Sequence, residues 1–281
     1  MLSPMSTTPG SATDSPSPSP TPILAFFDID NTLMRGASIF HIGTAARREG
    51  FIRFRDVLGF VWAQARFIAV GENTRHQLTV RERALALIAG RTEGELTRLA
   101  IDSYERSIHQ RLIPETVALA REHRAKGHEV WLLSATPDAM ASVMAQRLGL
   151  TGAVGTRIRS RGGVFTGELD GAIMHGARKA EVAEALAAER GAKLADCWAY
   201  SDSRNDIPLL ALVGNRVVVN PDNALSRHAR AHAWPVLTAG AGSVRAARKR
   251  IRREAKAVLR SGRRETRRET QPSPPDELQG T

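Results

Sequence analysis

Two carboxylates two residues apart close an apolar run, Ile23-Leu24-Ala25-Phe26-Phe27-Asp28-Ile29-Asp30-Asn31-Thr32-Leu33. A run this apolar reads as a strand covered on both faces in a parallel sheet. Acids at its C-terminal end then reach the crevice where open α/β sheets bind ligands. Packing has no use for a pair of charges there, because burying uncompensated charge is costly. Chemistry has two uses: one carboxylate can attack an electrophile, and the other can move a proton or help hold a metal. Asp and Asn after a strand also serve as plain turn residues, so the pair acquires meaning only together with residues further along the chain.

Three such pieces occur in order. The run Glu129-Val130-Trp131-Leu132-Leu133-Ser134 reads as a second buried strand ending in a hydroxyl. The spacing predicts a helix after it, with Thr136 as N-cap and Pro137 at the first helical position. Free N–H groups at such a helix start suit an anion, with Ser134 as a further donor. Lys179 falls in the first turn of a helix that Gly191 ends, a place where the helix dipole disfavours a cation, so a nearby negative charge would explain it. A third buried strand, Cys197-Trp198-Ala199-Tyr200-Ser201, ends at Asp202, with Asn205 and Asp206 just beyond it and before Pro208. Mg²⁺ takes oxygen ligands and keeps several waters, and Asp28 with Asp202 meets that need. Asp206 reads equally as the N-cap of the next helix.

The order D-x-D-x-T, strand-end Ser, Lys, S-D-x-x-N-D resembles the haloacid dehalogenase superfamily of phosphohydrolases, over about residues 23–237. The phrases Leu133-Ser134-Ala135-Thr136-Pro137, Gly155-Thr156-Arg157, Phe165-Thr166-Gly167, Tyr200-Ser201-Asp202-Ser203 and Val219-Asn220-Pro221-Asp222 resemble its phosphoserine-phosphatase-like subfamily IB. The resemblance implies an α/β fold: a Rossmann-like three-layer core with a parallel sheet and an inserted α-helical cap of the C1 type. It implies Asp28 as the nucleophile that forms an aspartyl-phosphate, and Asp30 as the acid/base. It implies Mg²⁺ held by the carboxylates of Asp28 and Asp202 and the backbone carbonyl of Asp30. Thr32, Ser134, Ala135, Lys179 and Asn205 would serve phosphate binding and its loops, with Asp206 in the metal's outer coordination sphere.

Phosphoserine phosphatases carry an acid shortly after the first motif, where it reads the substrate's ammonium group. Here that stretch is Met34-Arg35-Gly36-Ala37-Ser38-Ile39-Phe40, without an acid. A neutral or anionic phosphomonoester fits it better. Some members of the subfamily are fused to lysophosphatidate acyltransferases, which brings a glycerolipid phosphate within the expected substrates.

The remaining elements must position these residues. The chain has 281 residues, 42% hydrophobic and 25% charged, enough for one α/β core with an insertion. We expect the core at 23–35 and 123–243 and the helical cap at 36–122. The cap carries Phe51, Phe54, Phe60, Trp62 and Phe67 at mainly helical spacing and the cations Arg53, Arg55, Arg66, Arg75, His76 and Arg81. Pro114 should open a helix ended by Gly127, and residues 157–170 should form a hairpin turning at Gly162-Gly163.

The single cysteine, Cys197, excludes an intrachain disulfide and makes the cytoplasm the expected compartment. No secretory leader or apolar stretch of membrane-spanning length is evident. Residues 1–22 and 271–281 read as disordered.

Residues 244–270 hold twelve basic and three acidic side chains, a net of +9; the whole chain carries +11, so only +2 lies elsewhere. A basic helix of that kind can lie on an anionic membrane, which would make the protein peripheral on the inner face. It can also bind nucleic acid, or stay solvated. The expected function is a Mg²⁺-dependent phosphomonoester hydrolase acting on a small phosphorylated metabolite. The alternative is a regulatory or scaffolding protein that binds membrane or nucleic acid through its tail.

Overall fold

The computed structural model describes residues 21–50 and 85–240. The expectations for cap residues 51–81, for the basic segment 244–270 and for the chain ends fall outside these residues, apart from Thr21 and Pro22. Among the described residues the order is β1 (Leu24–Phe27), α1 (Ser38–Arg48), α2 (Glu93–Ser103), a π-helical turn (Tyr104–Ile108), a 3-10 turn (His109–Arg111) and α3 (Pro114–Ala125). Next come β2 (Glu129–Pro137), α4 (Asp138–Leu148), β3 (Gly152–Thr156), β4 (Ile158–Arg161), β5 (Val164–Leu169) and α5 (Ala177–Arg190). The chain continues through β6 (Trp198–Ser201), a 3-10 turn (Arg204–Asp206), α6 (Ile207–Leu212), β7 (Asn215–Val219), α7 (Asn223–Ala231) and β8 (Val236–Leu237).

Six strands pair in parallel in the order β3-β2-β1-β6-β7-β8. All four residues of β1 are fully buried. Ala25 and Phe27 point to the face covered by α3 and α4, and Leu24 and Phe26 to the face covered by α5, α6 and α7. A strand covered on both sides has no polar face to alternate with, so the run is continuously apolar. The result is the expected three-layer α/β arrangement. Beyond β3 the chain crosses to the far side of β1 to form β6, so the sheet changes winding direction between β1 and β6. Crevices at such switch points, outside the carboxyl ends of the strands, are where these sheets take ligands.

Helix α3 begins at Pro114 and stops before Gly127, which takes φ +80°. It packs on β1 and β2, so the cap boundary drawn at residue 122 falls inside a helix of the core layer. Helix α5 ends at Gly191, with φ +66°. The helix after β2 starts one residue later than expected: Thr136 still belongs to the strand, Pro137 occupies the capping position and α4 begins at Asp138. The cause is a register irregularity between Leu133 and Pro137, which lifts Ser134–Thr136 out of the ladder with β3. Such bulges re-aim side chains beside functional sites.

The hairpin of β4 and β5 forms around Gly162-Gly163. Its Phe165 packs with Ala45 and Ala46 of α1 and Leu96 and Leu99 of α2 in a small cluster apart from the two sheet faces. Backbone bonds from Gly90 to Phe165, Phe165 to Arg91 and Glu93 to Gly163 fasten the hairpin to the segment entering α2.

Beneath β1 and β6 lies a buried aromatic set. Phe27 stacks on Tyr200 at 4.1 Å between centroids, and His123 Nε2 lies 2.8 Å from the Tyr200 hydroxyl. His123 Nδ1 and His128 Nδ1 are 2.8 Å apart. One ring must donate and the other accept, so the pair holds one proton between them. Burial, with the neighbouring His128, pushes the His123 imidazole down to about 4. In the unfolded chain it titrates near 6.5, so between those values the unfolded state binds more protons. Stability from this group is complete above pH 6.5 and is lost as pH falls toward 4, on the order of 1 kcal/mol at pH 5. The expected result is a thermal midpoint that drops less from about pH 7 to about pH 5 in His123→Gln than in the wild type.

Candidate active site

Asp28 and Asp202 sit just past the carboxyl ends of β1 and β6, and Ser134 stands on the bulge of the neighbouring β2, just past Leu133, where its regular pairing with β3 breaks. The spacing of parallel strands alone brings their ends within a few ångströms of each other. Asp28 continues β1 by one bond, its N–H donating to the Tyr200 carbonyl at 3.0 Å. The chain then turns back sharply: the N–H groups of Thr32, Leu33 and Met34 all point to the Ile29 carbonyl, and Asn31 takes φ +57°. Thr32 donates toward Asp28 Oδ2 at 3.5 Å, and Thr116 of α3 clamps the Thr32 carbonyl at 2.8 Å.

Lys179 reaches this mouth from the third residue of α5. It lies on the inward face with Ala183 and Leu186 and is almost fully buried. Its Nζ donates to Asp28 Oδ1 and to Asp206 Oδ2, each at 2.6 Å. Asp206 occupies the capping position of α6, yet its side chain makes no capping bond. It accepts instead from Lys179 and from Ser201 Oγ at 2.7 Å, so its side chain does not act as the N-cap of α6. Asn205 stands in the 3-10 turn with its Nδ2 donating to Ser203 Oγ at 3.2 Å. Ala135 is exposed on the bulge, and its carbonyl accepts from Thr156 Oγ1 at 2.8 Å. Asp30 accepts from the Ser38 N–H at 2.9 Å.

Charge is unevenly distributed here. Burial pushes the Asp28 carboxyl up to about 7; the Lys179 ammonium pulls it down, while Asp206 and Asp30 push it further up. Burial and the neighbouring Asp28 and Asp206 hold Asp202 well above the ordinary carboxylate range. Burial also raises Asp30, against the bonds from Ser38. For Lys179 burial opposes the charged form, but Asp28 and Asp206 outweigh it and hold the ammonium above the usual lysine range. Four carboxylates therefore share one ammonium. Asp202 has no hydrogen-bond donor to its carboxylate among the described residues.

No group of three or more His, Cys, Asp or Glu among the described residues forms a metal site by itself. The donor set fits Mg²⁺ nonetheless. Asp28 and Asp202 would supply two carboxylates, and that ion takes one or two with water and a ligand oxygen completing its sphere.

Sequence reasoning overlooked Ser201, Ser38 and Gly155. Ser201 precedes Asp202 directly, so its place in the S-D pair was a usable signal. Gly155 was noted only as part of a family phrase. Its N–H donates to Asp138 Oδ1 at 2.8 Å, and a Cβ there would stand 2.5 Å from the Asp138 Cα and 2.7 Å from the Thr136 carbonyl oxygen. Only glycine lets β3 lie that close to the Ser134 bulge.

Comparison with known proteins agrees with this architecture. The haloacid dehalogenase-like hydrolase family matches residues 25–211. A Mycobacterium tuberculosis protein named phosphoserine phosphatase SerB1 is 45% identical over 213 residues, 75% of this chain and 69% of that one. A crystal structure of a Bordetella pertussis protein of unknown function is 27% identical, with a TM-score of 0.66, covering 78% of this chain and 99% of that one. A substrate-bound phosphoserine phosphatase shares the fold at 20% identity, with a TM-score of 0.54, covering 74% of this chain and 91% of that one. The chain belongs to the haloacid dehalogenase-like hydrolase family. It is an enzyme of the phosphatase type. No helix among the described residues is long and apolar enough to cross a membrane.

Proposed function

We propose that the chain is a Mg²⁺-dependent phosphomonoesterase working through an aspartyl-phosphate on Asp28. The observation that carries this reading is the buried Lys179 ammonium held at 2.6 Å from Asp28 Oδ1 at the sheet's switch point. Phosphoryl transfer is mostly positioning and charge neutralisation. Lys179 and Ser134 hold the phosphoryl oxygens, so that anionic Asp28 can approach phosphorus. An Asp28 oxygen forms the new P–O bond, the bond to the alcohol oxygen breaks, and Asp30 gives its proton to the departing oxygen. Asp30, now a carboxylate, takes a proton from water. That water's oxygen attacks the acyl phosphate, the P–O bond to Asp28 breaks, and phosphate leaves. Asp28 and Asp202, with the Asp30 carbonyl, would hold Mg²⁺, and Asn205 and Asp206 would order its surroundings. When bound, the ion supplies positive charge to the phosphate oxygens.

The substrate class is a small phosphorylated metabolite. The name of the M. tuberculosis relative makes phosphoserine the first compound to test. The acid-free segment Met34–Phe40 favours a phosphomonoester without an ammonium group, a glycerolipid phosphate included. In this reading α1 and α2 form the base of the inserted cap.

A phosphate-release screen of phosphorylated metabolites tests the proposal. The wild type should turn over at least one of them with Mg²⁺, lose about 10²-fold or more on chelation, and become inactive in Asp28→Asn. Activity in Asp28→Asn equal to that of the wild type would overturn it.

A further inference from the structure

Ser38 is the first residue of α1 and is fully buried despite its hydroxyl. It belongs to the inserted region, 98 positions away from Thr136 on the β2 bulge, yet the two hydroxyl oxygens lie 2.6 Å apart. Thr136 Oγ1 in turn accepts from Ser134 Oγ at 3.0 Å, and the Thr136 N–H donates back to Ser134 Oγ at 3.2 Å. At the other end, the Ser38 N–H donates to Asp30 Oδ1 at 2.9 Å. Ser38 thus joins Asp30, held by its N–H, to Thr136 and Ser134, held through its hydroxyl. Each link is buried or partly buried, where a hydrogen bond is strengthened and a missing partner is costly.

We infer that Ser38 and Thr136 are a positioning pair that sets the Asp30 carboxyl relative to the phosphoryl group held at Ser134. This rests on the reading of Asp30 as the acid/base. A carboxyl with one oxygen held by Ser38 has its other oxygen aimed in a fixed direction. Proton transfer to a leaving group demands hydrogen-bond reach, so a loose Asp30 loses rate in proportion to how much the leaving group needs that proton. Shape alone would not require the pair: an alanine and a valine fill the same space without the link.

The test compares kcat/KM, which reports the first displacement, for two aryl phosphates. The departing 4-nitrophenolate needs little protonation, whereas phenolate needs more. In Ser38→Ala, kcat/KM for phenyl phosphate should fall about tenfold further than that for 4-nitrophenyl phosphate. Thr136→Val should show the same selective loss, and Thr136→Ser, which keeps the hydroxyl, should recover most of it. Thermal midpoints identify any variant that loses its fold, and Thr136→Ser against Thr136→Val then still gives the comparison.

Equal losses on both substrates, or none, would overturn the inference while leaving the phosphatase reading intact, provided Asp30→Asn shows the selective loss. An Asp30→Asn variant with wild-type dependence on the leaving group would overturn the acid/base reading and this inference together.

Discussion

Lys179→Met should reduce phosphate release by about 10³-fold, the scale of removing a preorganised charge-stabilising donor. It should also cost about 3 kcal/mol of folding stability, because it strips the ammonium from a buried ion cluster and leaves its acids unmatched. Both effects come from one geometry, Nζ at 2.6 Å from Asp28 and from Asp206 with all three side chains buried. Lys179→Arg should not restore turnover, since a planar guanidinium cannot take the place of a compact ammonium between two carboxylates. Urea titration with a phosphate assay under saturating Mg²⁺ measures both quantities. A variant within tenfold of wild-type activity would show that Lys179 serves only the fold.

The second large effect is purely structural. Gly214 joins α6 to β7, with its N–H donating to the Leu194 carbonyl at 2.9 Å. A Cβ on it would stand 1.7 Å from the Ala195 carbonyl oxygen and 2.6 Å from the carbonyl carbon. Backbone atoms cannot rotate aside as a side chain can. Gly214→Ala must therefore push the turn at 194–197 away from the start of β7, and with it the pairing of Trp198 with Asn215. The expected cost is about 3 kcal/mol or more, a fall of roughly 6–12 °C in the thermal midpoint for a protein of this size. A midpoint within about 2 °C of wild type would contradict the packing described here.

The outline of the fold was readable because it rests on local pattern. Continuous apolar runs marked β1 and β6, Pro114 and Gly191 marked helix ends, and Gly162-Gly163 marked the hairpin turn. Asp28, Ser134 and Asp202 could be placed because parallel strands carry their last residues to one edge. What stayed hidden depends on contacts between distant segments. Nothing near Ser38 in the chain shows that it meets Thr136, and the glycines at 155 and 214 are explained only by the backbone each one faces. Thr136 resembled a helix cap because Thr-Pro usually is one. The irregularity after Leu133 moved the helix start by one residue and turned that hydroxyl into a link. Asp206 reads as an N-cap in the sequence but makes no capping bond, because its carboxylate is taken up by Lys179 and Ser201.

The most direct test of the mechanism is chemical trapping of the intermediate. Enzyme quenched in acid during turnover should carry one phosphoryl group on the peptide containing Asp28, stable in acid and released by hydroxylamine, as an acyl phosphate is. The label should be absent from Asp28→Asn. A phosphoryl group found on serine or histidine, or one that persists in Asp28→Asn, would contradict it.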